Sequence, residues 1–241
     1  MTKLFRKDEI WFAVVCIIIY VLAFGNADTI SEAMGSPKLL TCAVGIVMST
    51  ILYCFVRKNQ LGDYLGLCRI KGSGKLCLYF IPLIVISSVN LWNGIAVSRP
   101  VSEIVFHIVS MCFVGFLEEL IFRGLLFKGM SKNNVTAAIV VSSLTFGAGH
   151  IVNLLMGAPY FDTLLQLVYA SAVGFCYTAL FIACGSIIPC IISHALVNSL
   201  SIFAIEPGQG ASLVICLVQT VISVAYGLWL LKSPHKKVPD Q

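Results

Sequence analysis

IVFHIVSMCFVGFLEELIFRGLLF, residues 104–127, is long and apolar enough to cross a bilayer, yet it carries Glu118, Glu119 and Arg123 in its second half. A membrane helix needs about 20 mostly apolar residues. An ionisable side chain inside one costs several kcal/mol and marks a functional site by default. Seven further apolar runs flank this one, at roughly 10–25, 38–56, 76–97, 135–157, 163–184, 186–205 and 211–231. The connections hold turn formers such as Ser36-Pro37, Gly72-Ser73-Gly74 and Pro207-Gly208, and the break at 184–186 rests on Gly185. The expected fold is therefore all-α, a polytopic transmembrane helical bundle of about eight spans.

Composition agrees. Of 241 residues 59% are hydrophobic and only 11% charged, where a globular domain carries about 25% charged residues. The balance is the reverse of what disorder needs. The net charge of +5 is dispersed over short flanks, so no basic stripe is available and nucleic acid is not an expected partner. Nine of the ten cysteines fall in apolar runs, Cys68 lies in a basic loop, and no C-x-x-C pair occurs. They read as small hydrophobes.

Loop lysines and arginines set orientation, because they stay on the cytoplasmic side. Lys3, Arg6 and Lys7, then Arg57, Lys58, Arg69, Lys71 and Lys75, then Lys128 and Lys132, then Lys232, Lys236 and Lys237 make thirteen on one side, against Lys38 and Arg99 on the other. Both termini are expected in the cytoplasm. Residues 1–27 also have the outline of a signal peptide, with Gly25-Asn26-Ala27 as a small-residue cleavage site. The expected division is 1–99 for three N-terminal spans with the basic loop 57–75, 100–205 for a catalytic core, and 206–241 for the last span and a basic tail. A multi-pass protein of the plasma membrane is expected, and the economy of the loops suits a prokaryote.

Within 104–127, Glu119 and Arg123 are i,i+4 and can pair. Glu118 is turned about 140° from Arg123, so the guanidinium cannot neutralise both carboxylates in one geometry. A carboxylate short of positive charge in a dry site moves toward general-base range. A structural ion-pair cluster fixing helix register is the competing reading. Two more spans carry polar residues in i,i+4 pattern: Phe146-x-x-x-His150, with Gly147 and Gly149 allowing close backbone approach, and His194-x-x-x-Asn198. A base, two imidazoles and an amide suffice to position water, bind a metal or stabilise an oxyanion. Counted along each span, Glu118 lies about 14 Å and His194 about 12 Å from the cytoplasmic end, but His150 about 22 Å. His107 reads as an outer-interface residue and His235 as a solvated one. Asn90, Asn93 and Asn153 read as packing donors, Asn153 also as an orienter of His150. Ser142, Ser143 and Ser193 lack a G-x-S-x-G elbow, and helix-interior serine usually bonds back to the preceding turn.

Glu118-Glu119-x-x-x-Arg123, Phe146-x-x-x-His150 and His194-x-x-x-Asn198, in that order and each on its own apolar helix, resemble the three motifs of the CPBP family, the CAAX proteases and bacteriocin-processing enzymes also called Abi. The resemblance covers roughly residues 100–205. It implies an intramembrane endopeptidase with a cavity opening to the cytoplasm, acting on a membrane-associated peptide or protein such as a prenylated C-a-a-X protein or a bacteriocin or leader peptide. By motif position Glu118 is the general base, His150 positions water, and His194 and Asn198 stabilise the oxyanion. Glu119, Arg123 and Phe146 support them. Glutamic and metallo mechanisms both stay open: Glu118, His150 and His194 could complete an open zinc site, but no H-E-x-x-H helix face is present. A non-catalytic scaffold or immunity protein, or a proton-coupled transporter, are the alternatives. Against a transporter, spans 1–3 hold no polar set matching that of the second half.

Overall fold

The computed structural model describes residues 1–70 and 80–232. Lys71, Lys75, Cys77, His235, Lys236 and Lys237 lie outside the described residues, as does the first part of the expected third span, 76–79. Helices α1 (Thr2–Lys7), α2 (Glu9–Ala33) and α3 (Leu39–Lys58) come first, then the short α4 (Ile81–Ser87) with a 3-10 turn at Val89–Leu91. Helix α5 (Val101–Glu119) runs without a break through a π-helical stretch, Leu120–Phe127, into α6 (Lys128–Ser131), giving one rod of 31 residues. Next are α7 (Val135–Ala148), a 3-10 turn at Gly149–Ile151, α8 (Val152–Leu155), α9 (Tyr160–Cys184), α10 (Ile188–Leu200) and α11 (Gln209–Lys232).

Among the described residues the bundle is all-helical, and six helices are long and apolar enough to cross a membrane: α2, α3, the α5–α6 rod, α7–α8, α9 and α11. The two remaining expected spans are shorter helices, α4 and α10, packed on each other. Their polar residues bond between helices. Ser87 and Ser193 share a 2.8 Å hydrogen bond, and Asn90 Nδ2 donates to the Val197 carbonyl at 2.6 Å. Asn93 donates to the Ile205 carbonyl, so both asparagines are the packing donors expected of them.

Local chemistry sets the helix ends. Asp8 accepts from the Trp11 amide and Asn134 from the Ala137 amide, each satisfying an orphan donor of a first turn. Gly185 ends α9 with φ of 67°, a left-handed cap that glycine adopts without steric cost. Ser186 and Ile187 follow, fully buried, with Ser186 Oγ on the Cys68 carbonyl and the Ile187 amide on the Gly66 carbonyl. Helix α10 therefore starts inside the bundle. Phe5, Phe12 and Phe55 interlock α1, α2 and α3 at that same end, with centroids 5.1 to 5.5 Å apart.

Close backbone approach fixes two crossings. A methyl group on Gly147 would lie 2.8 Å from the Leu167 carbonyl and 2.9 Å from the Ser171 amide, and one on Gly115 would lie 2.8 Å from the Ala195 amide. Helix α7 thus rests against α9, and α5 against α10, at backbone distance. Gly147→Ala is expected to cost about 1–3 kcal/mol through overpacking, read as a lower melting temperature in detergent. Gly149→Ala, which meets nothing within 4 Å, should leave the melting temperature unchanged.

Candidate active site

The rod α5–α6 supplies two carboxylates at the point where it widens. Glu119 ends the α-helical part, and the eight π-helical residues after it are all buried. Stretches of i,i+5 bonding are rare and gather at functional sites. Ser142 Oγ donates to the Phe122 carbonyl at 2.9 Å, satisfying an acceptor inside that stretch. Ser143 bonds back along its own helix as expected. Ser193 does not: it joins Ser87 and Tyr177 in a buried hydroxyl chain.

Glu119 and Arg123 pair at 3.0 Å with both side chains fully buried. The guanidinium sits over the Phe146 ring at 4.2 Å and the Tyr177 ring at 5.5 Å, so cation–π attraction replaces part of its lost hydration. The same Glu119 oxygen that meets Arg123 also lies 2.8 Å from His194 Nδ1. A carboxylate facing a guanidinium is an acceptor only. Glu119 therefore fixes the imidazole proton on Nδ1 and turns Nε2 toward Glu118, whose Oε2 is 3.7 Å away. Spacing along the sequence pairs Glu119 with Arg123 alone, and the bond to His194 appears only in three dimensions.

Glu118 is 12% exposed and faces a cavity of about 580 Å³ lined also by Phe146, His150, His194 and Asn198. All four of the predicted catalytic residues therefore converge on one space. Phe146 meets His150 and His194 with its ring nearly perpendicular to each, centroids 5.9 and 5.6 Å away, so it packs against both imidazoles. The expected depth mismatch of His150 disappears because the rod runs on to Ser131. Counted from there Glu118 is about 20 Å deep, level with His150 at about 22 Å. Asn153 donates to Gln166 Oε1 at 2.8 Å, which corrects its expected role as the orienter of His150. His107 bonds the Asn198 carbonyl and Ser201 Oγ. It lies outside the carboxylate cluster, as expected, but braces the end of α10.

Tyr20 is the residue that motif reasoning missed. Its hydroxyl, on α2, donates to Glu118 Oε1 at 2.5 Å. A buried tyrosine mid-span usually finds a hydrogen-bond partner, and that was the only available signal. Cleavage after Ala27 would remove it.

Among the described residues no three His, Cys, Asp or Glu side chains are grouped as ligands of one metal ion. His194 Nδ1 is engaged by Glu119 and Glu118 Oε1 by Tyr20. No step below is routed through a metal ion.

The cavity lies between this cluster and the end of the bundle formed by Lys38, Asn93, Asp162, Ser201 and Glu206. A smaller cavity of about 170 Å³, beside Tyr20 and Asp28, shares Glu118 and His150 with it. The resemblance implied an opening toward the cytoplasm; the residues that line these two cavities include none from the described basic loops 57–70 and 128–134.

Residues 100–200 match the family model described as Rce1-like, the type II CAAX prenyl endopeptidase Rce1-like family. The match spans all three motifs and bears out the resemblance read from them: this segment is similar to CAAX-type membrane endopeptidases. No curated protein matches the chain.

The buried pair generates a stability prediction. Glu119→Ala leaves the Arg123 charge unpaired and is expected to destabilise by about 3–5 kcal/mol. The double replacement Glu119→Leu with Arg123→Met should recover most of that loss in a detergent melting experiment.

Proposed function

We propose that the chain is an intramembrane endopeptidase that hydrolyses a peptide bond of a membrane-associated peptide or protein with water activated by Glu118. One observation carries the reading: Glu118 Oε2 and His194 Nε2 face each other across 3.7 Å in a cavity, with Glu119 fixing the imidazole from behind.

In the proposed cycle Glu118 takes a proton from water as the water oxygen attacks the carbonyl carbon, and His150 holds that water in line. Negative charge gathers on the carbonyl oxygen. The amide of Asn198 and Nε2 of His194 donate to it, which is where preorganised donors lower the barrier most. Because Glu119 holds the proton on Nδ1, His194 donates from Nε2 only as the imidazolium, and Glu119 stabilises that charged form as the acidic member of a triad does. The C–N bond then breaks, the proton passes from Glu118 to the leaving amine, and the carboxylate is restored. Tyr20 holds Glu118 in place by its other oxygen. A serine nucleophile plays no part: Ser142, Ser143 and Ser193 are committed to structural bonds.

The test is cleavage of a quenched-fluorescent peptide library by the purified protein. Glu118→Ala is expected to reduce kcat at least 100-fold, the lower range for a general base; a variant as active as the parent sinks the mechanism. A strong zinc chelator should leave the rate unchanged, and loss of activity that zinc restores would assign a metal. Tyr20→Phe, which removes one hydrogen bond to a charged group, is expected to lower kcat about 10-fold with KM unchanged and to displace the acidic limb of the pH profile. A merely structural tyrosine would move neither kcat alone nor the pH profile.

A further inference from the structure

The two ends of the bundle differ in charge, and the cavity belongs to only one of them. At the first end Lys132 pairs with Glu9 at 2.8 Å, Tyr64 donates to Glu9, and the aromatic knot of α1, α2 and α3 lies beside Arg57 and Lys58. With Lys3, Arg6, Lys7 and Arg69 this end collects most of the basic residues of the chain. At the second end Lys38 pairs with Asp28 at 2.7 Å, the Ala96 amide donates to the Phe203 carbonyl, and His107 meets Ser201. Lys38 and Arg99 are its basic residues, against Asp28, Glu32, Glu103, Asp162 and Glu206.

Two cavities that reach Glu118 extend toward the second end. Lys38, Asn93, Asp162, Ser201, Glu206 and Ser212 line the larger, and Asp28 and Thr41 the smaller. The lining residues include none from 57–70, 128–134 or 185–187, the described loops of the first end. Positive charge in short loops holds the first end in the cytoplasm. Water and a polar chain can meet Glu118 only through an aqueous space enclosed by protein.

We infer that the site is entered from the non-cytoplasmic face, and that its substrate is a peptide segment already carried across the membrane: an exported peptide or the outer juxtamembrane stretch of a membrane protein. The inference rests on the endopeptidase reading for the word substrate, but the face of entry rests on charge and cavity alone. It selects among substrate types. A prenylated C-a-a-X tail, which is made and lipidated in the cytoplasm, does not reach this mouth. A leader or bacteriocin-type peptide cut after or during export does.

The experiment places single new cysteines at two exposed positions of the full chain, Glu206→Cys beside the cavity and Asn133→Cys between α6 and α7. Intact cells are treated with a membrane-impermeant sulfonated maleimide, and added mass is counted above that of the parent chain, whose own cysteines set the background. Position 206 is expected to label at least tenfold more than 133 in intact cells, and both to label after permeabilisation. Label at 133 alone, or at 206 only after permeabilisation, overturns the inference. The readout needs no turnover, so the two readings fail separately. A chain that labels at 206 but loses nothing on Glu118→Ala forfeits the mechanism alone, whereas one that hydrolyses but labels at 133 forfeits the face of entry.

Discussion

Glu119 makes two bonds with one oxygen, to Arg123 at 3.0 Å and to His194 at 2.8 Å, and is fully buried. A lone carboxylate there would face a desolvation penalty of several kcal/mol. Its two partners offset part of that penalty, although Oε2 has no hydrogen-bond partner, and in doing so they position the residues around them. Arg123 draws Phe146 of α7 and Tyr177 of α9 over its guanidinium. His194 brings α10 onto α5, where Gly115 admits the Ala195 backbone. One acidic side chain thus ties together four helices, and the face that the imidazole turns toward Glu118 is set by the same contact.

The division between the neighbouring glutamates follows from this. Glu119 is spent on structure and on orienting His194, while Glu118, one residue back and on another face, looks into the cavity with a phenol as its nearest donor. Adjacent positions on a helix differ by about 100°, which is enough to put one carboxylate in a dry cluster and the other at a wet boundary.

The amount of this that was legible in the sequence differs by level. Helical class and the grouping of Glu118, His150, His194 and Asn198 were readable, because intramembrane polar residues have few innocent explanations. Gly185 marked the end of α9 correctly for a local reason, its left-handed cap. Helix length was less readable at 76–97 and 186–205, where apolar composition was right but Ser87, Asn90 and Ser193 were committed to bonds between helices. Tyr20 and the Glu119–His194 bond were not readable, since both depend on contacts 98 and 75 residues apart that no spacing rule encodes. Which residues line the cavity was not readable for the same reason: depth along one helix does not say which neighbours close over it.

The separation of 75 residues between Glu119 and His194 also has a consequence in time. Chains are made at about 5–20 residues per second, so α5 waits about 4 to 15 s for α10. During that interval Glu119 already has Arg123, four residues away on its own helix, and the young rod can enter lipid with that charge matched. Glu118 meanwhile lacks its facing imidazole. On the proposed mechanism the chain therefore stays inert beside the insertion machinery and the other nascent chains there, and becomes competent only when α10 docks.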